Sequence, residues 1–322
     1  MHKFRQVSPN VQEITIDNEN TANEKLVWVN ITNAGKKEIE YLRKKFNFNL
    51  IHLRASSSKI VSQRPIISEG AHYFFLILHF PVIKDGRLIS SEIDFFISHG
   101  HLTTLHNGDI GALNDFFKYC KKDGDAILAH KFESSAVLLY EILEKVMLYC
   151  FSLLDNSSQK IDKIEERIFA GQVDKNSASD ILSLRRDLIN FRRIMQNHKN
   201  ILKKLMEMES SIVPTEDIRK YYKELIEHSK RIWEILENQK EMVDALYQTN
   251  ESLLNYRLTD VMKTLTIFSV IVFPLTLLAA IFSMRLKGMP LLDNSNGFWI
   301  VVTVMIFLSL SMLLFFERKK WL

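Results

Sequence analysis

The sequence predicts an α+β membrane protein, with an N-terminal cytosolic α/β domain, a long helical stalk and two C-terminal transmembrane helices. Two apolar runs, Thr264–Met284 and Phe298–Phe316, carry no charged residue over 21 and 19 residues, about the length that spans a bilayer core. Before about residue 130, short β-rich runs alternate with helical ones. Between Gly171 and Gly288 there is no glycine, which favours long uninterrupted helices.

The α/β domain is predicted to occupy residues 1–130. Strands are expected over LVWVNI, YFFLILHF, SEIDFFIS and HLTTLH, a helix over KKEIEYLRKKF, and turns at KDG and NGD. His99, His101 and His106 cluster in this part but lack the spacing of a zinc motif. We therefore expect them to be ordinary polar residues at a strand edge.

The next part is predicted to be helical. Helices over about 132–169 and 176–209 form a hairpin domain (131–213), and a new helix starts after Pro214 with Thr215 as its N-cap. No breaker follows until the first apolar run, so the stalk (214–263) is expected to continue into it. Counted from Thr215 to Met284, this helix would be about 105 Å long at 1.5 Å per residue.

The stalk carries an apolar seam. Heptad a and d positions are assigned to Ile232, Ile235, Met242, Leu246 and Leu253, with Gln239 and Thr249 as polar interruptions. Such a seam needs partners. The partners are either the two preceding helices of the same subunit or identical stalks around a symmetry axis.

Basic residues flank the two apolar runs unequally. Transmembrane helices are predicted at 264–284 and 298–316, with a loop at 285–297 and a basic tail at 317–322. The flanking residues are Arg257, Lys263, Arg318, Lys319 and Lys320, against Arg285 and Lys287 in the loop. The excess places both termini in the cytoplasm and the loop outside, in a cell (inner) membrane.

Several classes of protein are disfavoured. The beginning MHKFRQVSPNVQ has no apolar region of a cleavable signal. Cys120 and Cys150 have no metal-ligand spacing and indicate a reduced compartment. A dispersed net charge of +4 argues against nucleic-acid binding. With no nucleophile–base pattern or phosphate-binding glycine loop, we expect no enzyme.

The stretch DVMKTLTIFSVIVFPLTLLAAIFSMRLKGMP, residues 260–290, resembles the pore helix and loop of the CorA family of magnesium transporters. The ending FFERKKWL, and Gln63-Arg64-Pro65 followed by HYFFLILHFP, are similar to other parts of that family. The resemblance implies a homopentamer with an α/β funnel, an axial pore lined by the first membrane helix, and Mg²⁺ as both transported and regulatory ion.

The resemblance also assigns the pore residues. They are Thr259, Met262, Leu265, Phe273, Thr276, Ala280, Ser283, Met284 and Arg285. Met262, Leu265 and Phe273 would form apolar constrictions. Thr276 would contact a water of the hydrated ion, or alternatively bond back to the preceding helical turn. A basic ring at the cytosolic membrane face would comprise Lys263, Lys319 and Lys320.

The sequence departs from the family in three features of this pore line. The family's Gly-Met-Asn signature reads Ser283-Met284-Arg285, Thr259 replaces an asparagine, and Ala280 stands where glycine is frequent. Arginine only donates hydrogen bonds and is always charged. A ring of Arg285 side chains would repel a divalent cation, so we expect them to point away from the axis; a ring facing the pore would favour anions instead.

Two carboxylates complete the assignment. Glu224 in YYKELIEH and Asp85 in IKDG correspond to family residues that hold a regulatory Mg²⁺ between subunits. From the residues alone, Glu224 is a solvated helix carboxylate and Asp85 a turn former. The expected function is a CorA-type divalent-cation channel or transporter, with Mg²⁺ uptake gated by cytosolic Mg²⁺. The alternatives are a CorA-like pore with another cargo or trigger, such as Zn²⁺, and a non-conducting membrane metal sensor.

Overall fold

The computed structural model describes residues 3–17, 25–57, 64–122, 134–171, 175–208, 216–284, 296–319 and 321, and its N-terminal part is built on a mixed sheet. Within these residues the sheet has seven strands in the order β1-β2-β3-β7-β6-β5-β4. They are β1 (Lys3–Ser8), β2 (Val11–Asp17), β3 (Lys25–Thr32), β4 (Ile66–Glu69), β5 (Phe74–Lys84), β6 (Arg87–Ser98) and β7 (His101–His106). Of the described neighbouring strands, only β3 and β7 run parallel.

Some helices of the described residues lie between strands in the sequence, and the others follow the last strand. They are α1 (Lys36–Phe46), α2 (Leu50–Ala55), α3 (Gly111–Lys122), α4 (Ser135–Phe169), α5 (Lys175–Met195), α6 (His198–Glu207), α7 (Glu216–Ser283) and α8 (Gly297–Arg318). The chain divides into two compact units, Met1–Leu246 and Tyr247–Leu322, and the boundary falls inside α7. An α/β sheet domain, a long helix and two apolar C-terminal helices were predicted, and this fold class is confirmed.

Both faces of the sheet are covered by helices. On one face, Val29 and Phe75 pack in a core cluster with Leu42 of α1 and Leu53 of α2. On the other face, the ring of the buried Trp28 lies against the rings of two phenylalanines of α3, with distances of 4.8 and 5.8 Å between ring centroids. Alternate residues of each strand point to opposite faces. Because helices cover both faces, the central strands are nearly continuous apolar runs in the sequence.

The predicted strands and the helix over KKEIEYLRKKF are confirmed, but the expected place at a strand edge was wrong for two of the three histidines, His101 and His106. β7 lies in the middle of the sheet, and both His101 and His106 are buried. The Nε2 atom of His106 lies 3.0 Å from Asn30 Oδ1, and His106 Nδ1 accepts a hydrogen bond from the Gly108 amide. Burial lowers the pKa of His101 to about 3 and that of His106 to about 4, so both are neutral near pH 7.

The helix predicted over 176–209 is interrupted in the structure. α5 ends at Met195 and α6 begins at His198, with Gln196 and Asn197 between them. No glycine or proline marks the break, which is why the sequence predicted one continuous helix. By contrast, the predicted continuity of the stalk with the first apolar run is confirmed, because α7 is one helix of 68 residues; Thr215 lies outside the described residues.

The seam of α7 differs from the predicted one by one residue at three positions, since Leu236, Val243 and Asn250 are buried in place of Ile235, Met242 and Thr249. Ile232 and Leu246 are buried as expected, but Met242 is 45% exposed. The buried stripe is Tyr222, Leu225, Ser229, Ile232, Leu236, Gln239, Val243, Leu246 and Asn250. Its steps of three and four residues are those of a heptad.

The stripe packs against helices of the same chain. Tyr222 OH donates to Ala136 O at 2.9 Å, and Gln239 Nε2 donates to Leu154 O at 2.8 Å. The later contact residue of α7 bonds to the later contact residue of α4, so α4 and α7 run parallel. On α5, Arg192 and Arg185 form ion pairs with Glu237 and Asp244 of α7. Two kinds of partner were considered for the seam. In the described chain, the first half of the seam packs against helices of the same subunit.

Candidate pore and metal site

The second unit presents its apolar surface outward. α7 and α8 each contain an 18-residue window with a mean hydropathy of 2.5, and almost none of either window is buried within the chain. By length and composition both helices are able to cross a membrane. Such a surface needs lipid or further protein to cover it.

The predicted pore residues share one side of α7. At 100° per residue, the positions from Thr259 to Met284 fall within an arc of about 120°. The apolar members Met262, Leu265 and Phe273 are 61%, 58% and 72% exposed. Thr259, Thr276, Ala280 and Ser283 are exposed as well. The side of the helix that carries these residues is therefore available to a neighbouring molecule or to a lumen.

The hydroxyl groups of this stripe bond to their own helix. Thr276 Oγ1 donates to the carbonyls of Val272 and Phe273, both at 2.9 Å, and Thr259 Oγ1 donates to Asn255 O at 2.9 Å. This is the alternative considered for Thr276 from sequence. A hydroxyl that donates its only proton to the helix keeps its lone pairs, so it faces outward as an acceptor.

Pro274 lies inside α7 without ending it. Because proline has no N–H, the helix loses the bond that would reach the carbonyl of Val270. The missing bond lies in the turn that contains Phe273, just before Thr276.

The remaining predicted residues near the membrane are distributed as follows. Lys263 is half-buried on α7, and Lys319 is exposed at the C-cap of α8. Arg285 and Lys320 lie outside the described residues.

Asp85 occupies the tight turn between β5 and β6. Lys84 and Arg87 pair across the hairpin, and the two residues between them, Asp85 and Gly86, have φ values of 51° and 73°. Positive φ at both positions is the type I′ geometry that Asp-Gly favours. The exposed carboxylate of Asp85 is thus held at the tip of a hairpin.

Glu224 belongs to a group that could hold a metal ion. Glu144 of α4 and Glu224 and His228 of α7 each offer one ligand atom, and these atoms all lie within 4.8 Å of one another. The parallel packing of α4 and α7 brings the three together. Asp85 is not part of this group, which is defined within one chain.

A tyrosine lies between the two carboxylates. Tyr140 OH is 3.1 Å from Glu144 Oε1 and 3.0 Å from Glu224 Oε2. Burial, and then the hydrogen bond to Glu224, raise the pKa of Tyr140, so the phenol stays protonated. One proton serves two acceptors, and Lys145 Nζ lies 3.6 Å from Glu144 as a nearby cation. The side chain of Glu224 is 52% exposed, which leaves it accessible to an ion from solution.

Glu144 and His228 were missed by the analysis of the sequence. His228 follows Glu224 by four residues, a spacing that places both on one face of a helix, and this signal was present in YYKELIEH. Glu144 gave no such signal, because it meets the other two only through the pairing of α4 with α7.

Comparison with known proteins gives consistent results. Residues 23–319 match the family described as CorA-like Mg²⁺ transporter protein. The cobalt/magnesium transport protein CorA of Methanocaldococcus jannaschii is 22% identical, over 98% of this chain and 96% of the relative. The protein of the same name from Thermotoga maritima is 25% identical, over 92% of this chain and 83% of the relative.

A structural comparison agrees in fold. The complete structure of the CorA magnesium transporter from Methanocaldococcus jannaschii superposes with a TM-score of 0.85 at 20% identity, over 98% of this chain and 100% of that one. The fold, with its sheet domain, long helix and two apolar helices, is therefore shared along the whole length. Since the family match also covers most of the sequence, the chain belongs to the CorA-like Mg²⁺ transporter family.

Proposed function

We propose that this protein is a CorA-type transporter that takes up Mg²⁺ through the axial pore of a homopentamer, with α7 as the pore-lining helix. The observation that carries the proposal is the exposed stripe from Thr259 to Met284 on one side of an apolar helix. A helix that faced only lipid would gain nothing from aligned hydroxyl groups on one side. Around a symmetry axis, the same stripe becomes a column of side-chain rings.

The chemistry of Thr276 fits a hydrated cation. Mg²⁺ dehydrates reluctantly and is held with several of its waters. Those waters point their protons outward, so the lining must accept hydrogen bonds. The back-bonded hydroxyl of Thr276 presents only lone pairs, and a ring of these oxygens would accept from the hydration shell.

The apolar members of the stripe would act as the gate. Met262, Leu265 and Phe273 are exposed on this side of α7, and rings of such side chains close a pore by dewetting. The loss of a backbone bond beside Phe273, at Pro274, would ease local bending there. The gate and the acceptor ring would then be consecutive features of one helix.

The group around Glu224 would supply the response to cytosolic cation. Two carboxylates offer the hard oxygen ligands that Mg²⁺ prefers, with waters completing its octahedron. A bound ion would offset the repulsion of Glu144 and Glu224 across one shared proton. Asp85, on its hairpin tip, is proposed as a ligand from a neighbouring subunit, and release of the ion would favour the open pore.

Some features of the chain favour a transported ion other than Mg²⁺. Ser283-Met284-Arg285 replaces the family's amide-bearing signature, and His228 adds a nitrogen ligand that suits Co²⁺ or Zn²⁺ better than Mg²⁺. Two relatives are named for both cobalt and magnesium. A pore with altered cargo or trigger is therefore the alternative, and a non-conducting membrane metal sensor remains the third candidate.

The proposed orientation places both termini in the cytoplasm of a cell (inner) membrane. Lys263, Lys319 and Lys320 would form the basic ring at the cytosolic membrane face, as the excess of basic residues on that side requires.

The test is ion uptake by the purified protein in liposomes. We expect Mg²⁺ uptake along its gradient, and little change or a modest rise for Arg285→Asn, if the Arg285 side chains point away from the axis. Uptake is followed with a Mg²⁺-sensitive dye at low and high ionic strength, and then with Co²⁺ and Zn²⁺ in place of Mg²⁺. Lys287→Asn, in the same loop, is the matched control.

Two results would contradict this proposal. A rise of tenfold or more for Arg285→Asn, about 1.4 kcal/mol on the barrier and largest at low ionic strength, would mean that Arg285 rings the mouth and that the wild-type pore disfavours Mg²⁺. If neither Mg²⁺ nor the other ions were taken up, the non-conducting membrane metal sensor would be the remaining candidate function.

A further inference from the structure

A second candidate binding site lies in the first unit, away from the Glu224 group. It is an open cavity of about 700 Å³ at the junction of α5 and α6, beside the strands β5 and β6. Arg64, just before β4, and Arg193, near the end of α5, both line it. The break that separates α5 from α6 contributes Gln196 and Asn197 to its wall.

The two guanidinium groups of this cavity have no carboxylate partner among the described residues, and the lining residue His79 has its own, with Nε2 2.8 Å from Glu92 Oε2. In the described part of the chain, Arg64 makes no ion pair or hydrogen bond, and Arg193 has only the Asn190 side chain, 3.2 Å from its Nη2. No aspartate or glutamate is among the lining residues that the structure describes. Arg192, the residue next to Arg193, is paired with Glu237 of α7. Two guanidinium groups without carboxylates at one cavity favour an anion, and phosphate oxygens match their fork of donors.

The rest of the lining is suited to more than an inorganic ion. Side-chain amides and the hydroxyl of Ser90 offer further donors and acceptors, and Asn197 makes no side-chain capping bond to α6. Pro65, Leu88 and Ile194 supply an apolar wall. Sites for organic ligands combine such a wall with a few polar groups and enclose about 300–1,000 Å³, so the size and composition exceed what phosphate alone needs.

We propose that this cavity binds a nucleoside phosphate. Arg64 and Arg193 hold the phosphate group, the apolar wall takes the base, and the amides of Asn190 and Asn197 hydrogen-bond its polar edge or the sugar. The inference uses no residue of the pore or of the Glu224 group, and it holds whichever cation the protein moves.

The experiment is calorimetric titration of the full-length protein in mild detergent, with EDTA present so that metal chelation by the ligand plays no part. ATP, AMP, pyrophosphate and adenosine are the probes. We expect ATP and AMP to bind more tightly than pyrophosphate, and adenosine to bind weakly. Replacing both arginines (Arg64→Ala with Arg193→Ala) should weaken nucleotide binding tenfold or more.

Arg186→Ala is the matched control, because Arg186 is an exposed arginine two turns earlier on α5 and does not line the cavity. It should bind ATP as the wild type does, and unchanged melting temperatures without ligand would show that the variants are folded. Absence of nucleotide binding at millimolar concentration, or equal binding by the double variant and the control, would overturn the proposal. Pyrophosphate binding as tightly as ATP would overturn the assignment of a nucleoside.

Discussion

Among single residues, Asp94 is a buried carboxyl whose protonation is controlled by the fold. It lies on β6, is 3% exposed, and its Oδ1 atom has no hydrogen-bond partner among the described residues. Burial, together with the nearby Glu92, raises the pKa of the Asp94 carboxyl well above its usual range. The native protein therefore binds this proton more tightly than the unfolded chain does. Stability from this group falls as pH rises from about 3.9, the unfolded value, towards the raised native pKa.

Asp94→Asn should remove this pH dependence. We expect the variant to gain stability over the wild type as pH rises, because a neutral amide has no charge to desolvate. Between about pH 4.5 and pH 8 the gain in melting temperature should grow by about 2 °C or more, since 1 kcal/mol shifts the melting temperature of a large domain by about 2–4 °C. Thermal unfolding of the full chain at a series of pH values measures it. Asp115→Asn, at an exposed carboxylate of α3, should show no such trend, and a flat difference for Asp94→Asn would refute the explanation.

Residues of this kind mark the limit of what the sequence allows one to predict. Asp94 lies within SEIDFFIS, where alternation and β-branched residues indicate a strand, but the sequence does not show that its side chain is buried in the folded protein. For Thr276 the sequence left two roles open, and the bond back to the preceding turn is one that depends only on its own helix. Glu144 could not be found, because its partners come from a helix 80 residues away in the sequence.

At the level of elements, the parallel pairing of α4 with α7 builds the group around Glu224. Under the proposed function, Mg²⁺ bound at this group protects the first unit against protease. Glu224→Lys should abolish that protection, because it places an ammonium beside Glu144 and removes one carboxylate ligand. Glu234→Lys reverses an exposed charge on the same helix outside the group and should leave that protection intact. Limited proteolysis with and without Mg²⁺ compares them, and unchanged protection in Glu224→Lys would remove Glu224 from the sensor.

His228 allows the metal to be distinguished in the same assay. His228→Ala should weaken protection by Co²⁺ more than protection by Mg²⁺, because imidazole is a ligand for the former.

The sequence predicted α7 as one helix because it has neither glycine nor an early proline. It misplaced Ile235 and Met242 on the seam, because the direction of the buried stripe is set by α4 and α5 and not by the helix itself.

For the whole molecule, the exposed apolar windows of α7 and α8 make association the expected state. A homopentamer would cover the stripe of α7 around an axis and leave the outer surface to lipid. Native mass spectrometry in mild detergent should give a mass of five times the 37.6 kDa chain. A monodisperse monomer would rule out the proposed pore, since one chain leaves the stripe from Thr259 to Met284 without a facing partner.

The hairpin tip at Asp85 has a consequence for how such a protein can evolve. With positive φ at position 85, the backbone tolerates aspartate, asparagine or glycine and disfavours most other side chains. A change from aspartate to asparagine or to glycine needs one nucleotide substitution and preserves the turn, yet it removes the negative charge. Selection can therefore switch a charge at this tip off and on again without disturbing the fold. Under the proposed role of Asp85 as a ligand, the response to metal would diverge between lineages while the sheet beneath it stays the same.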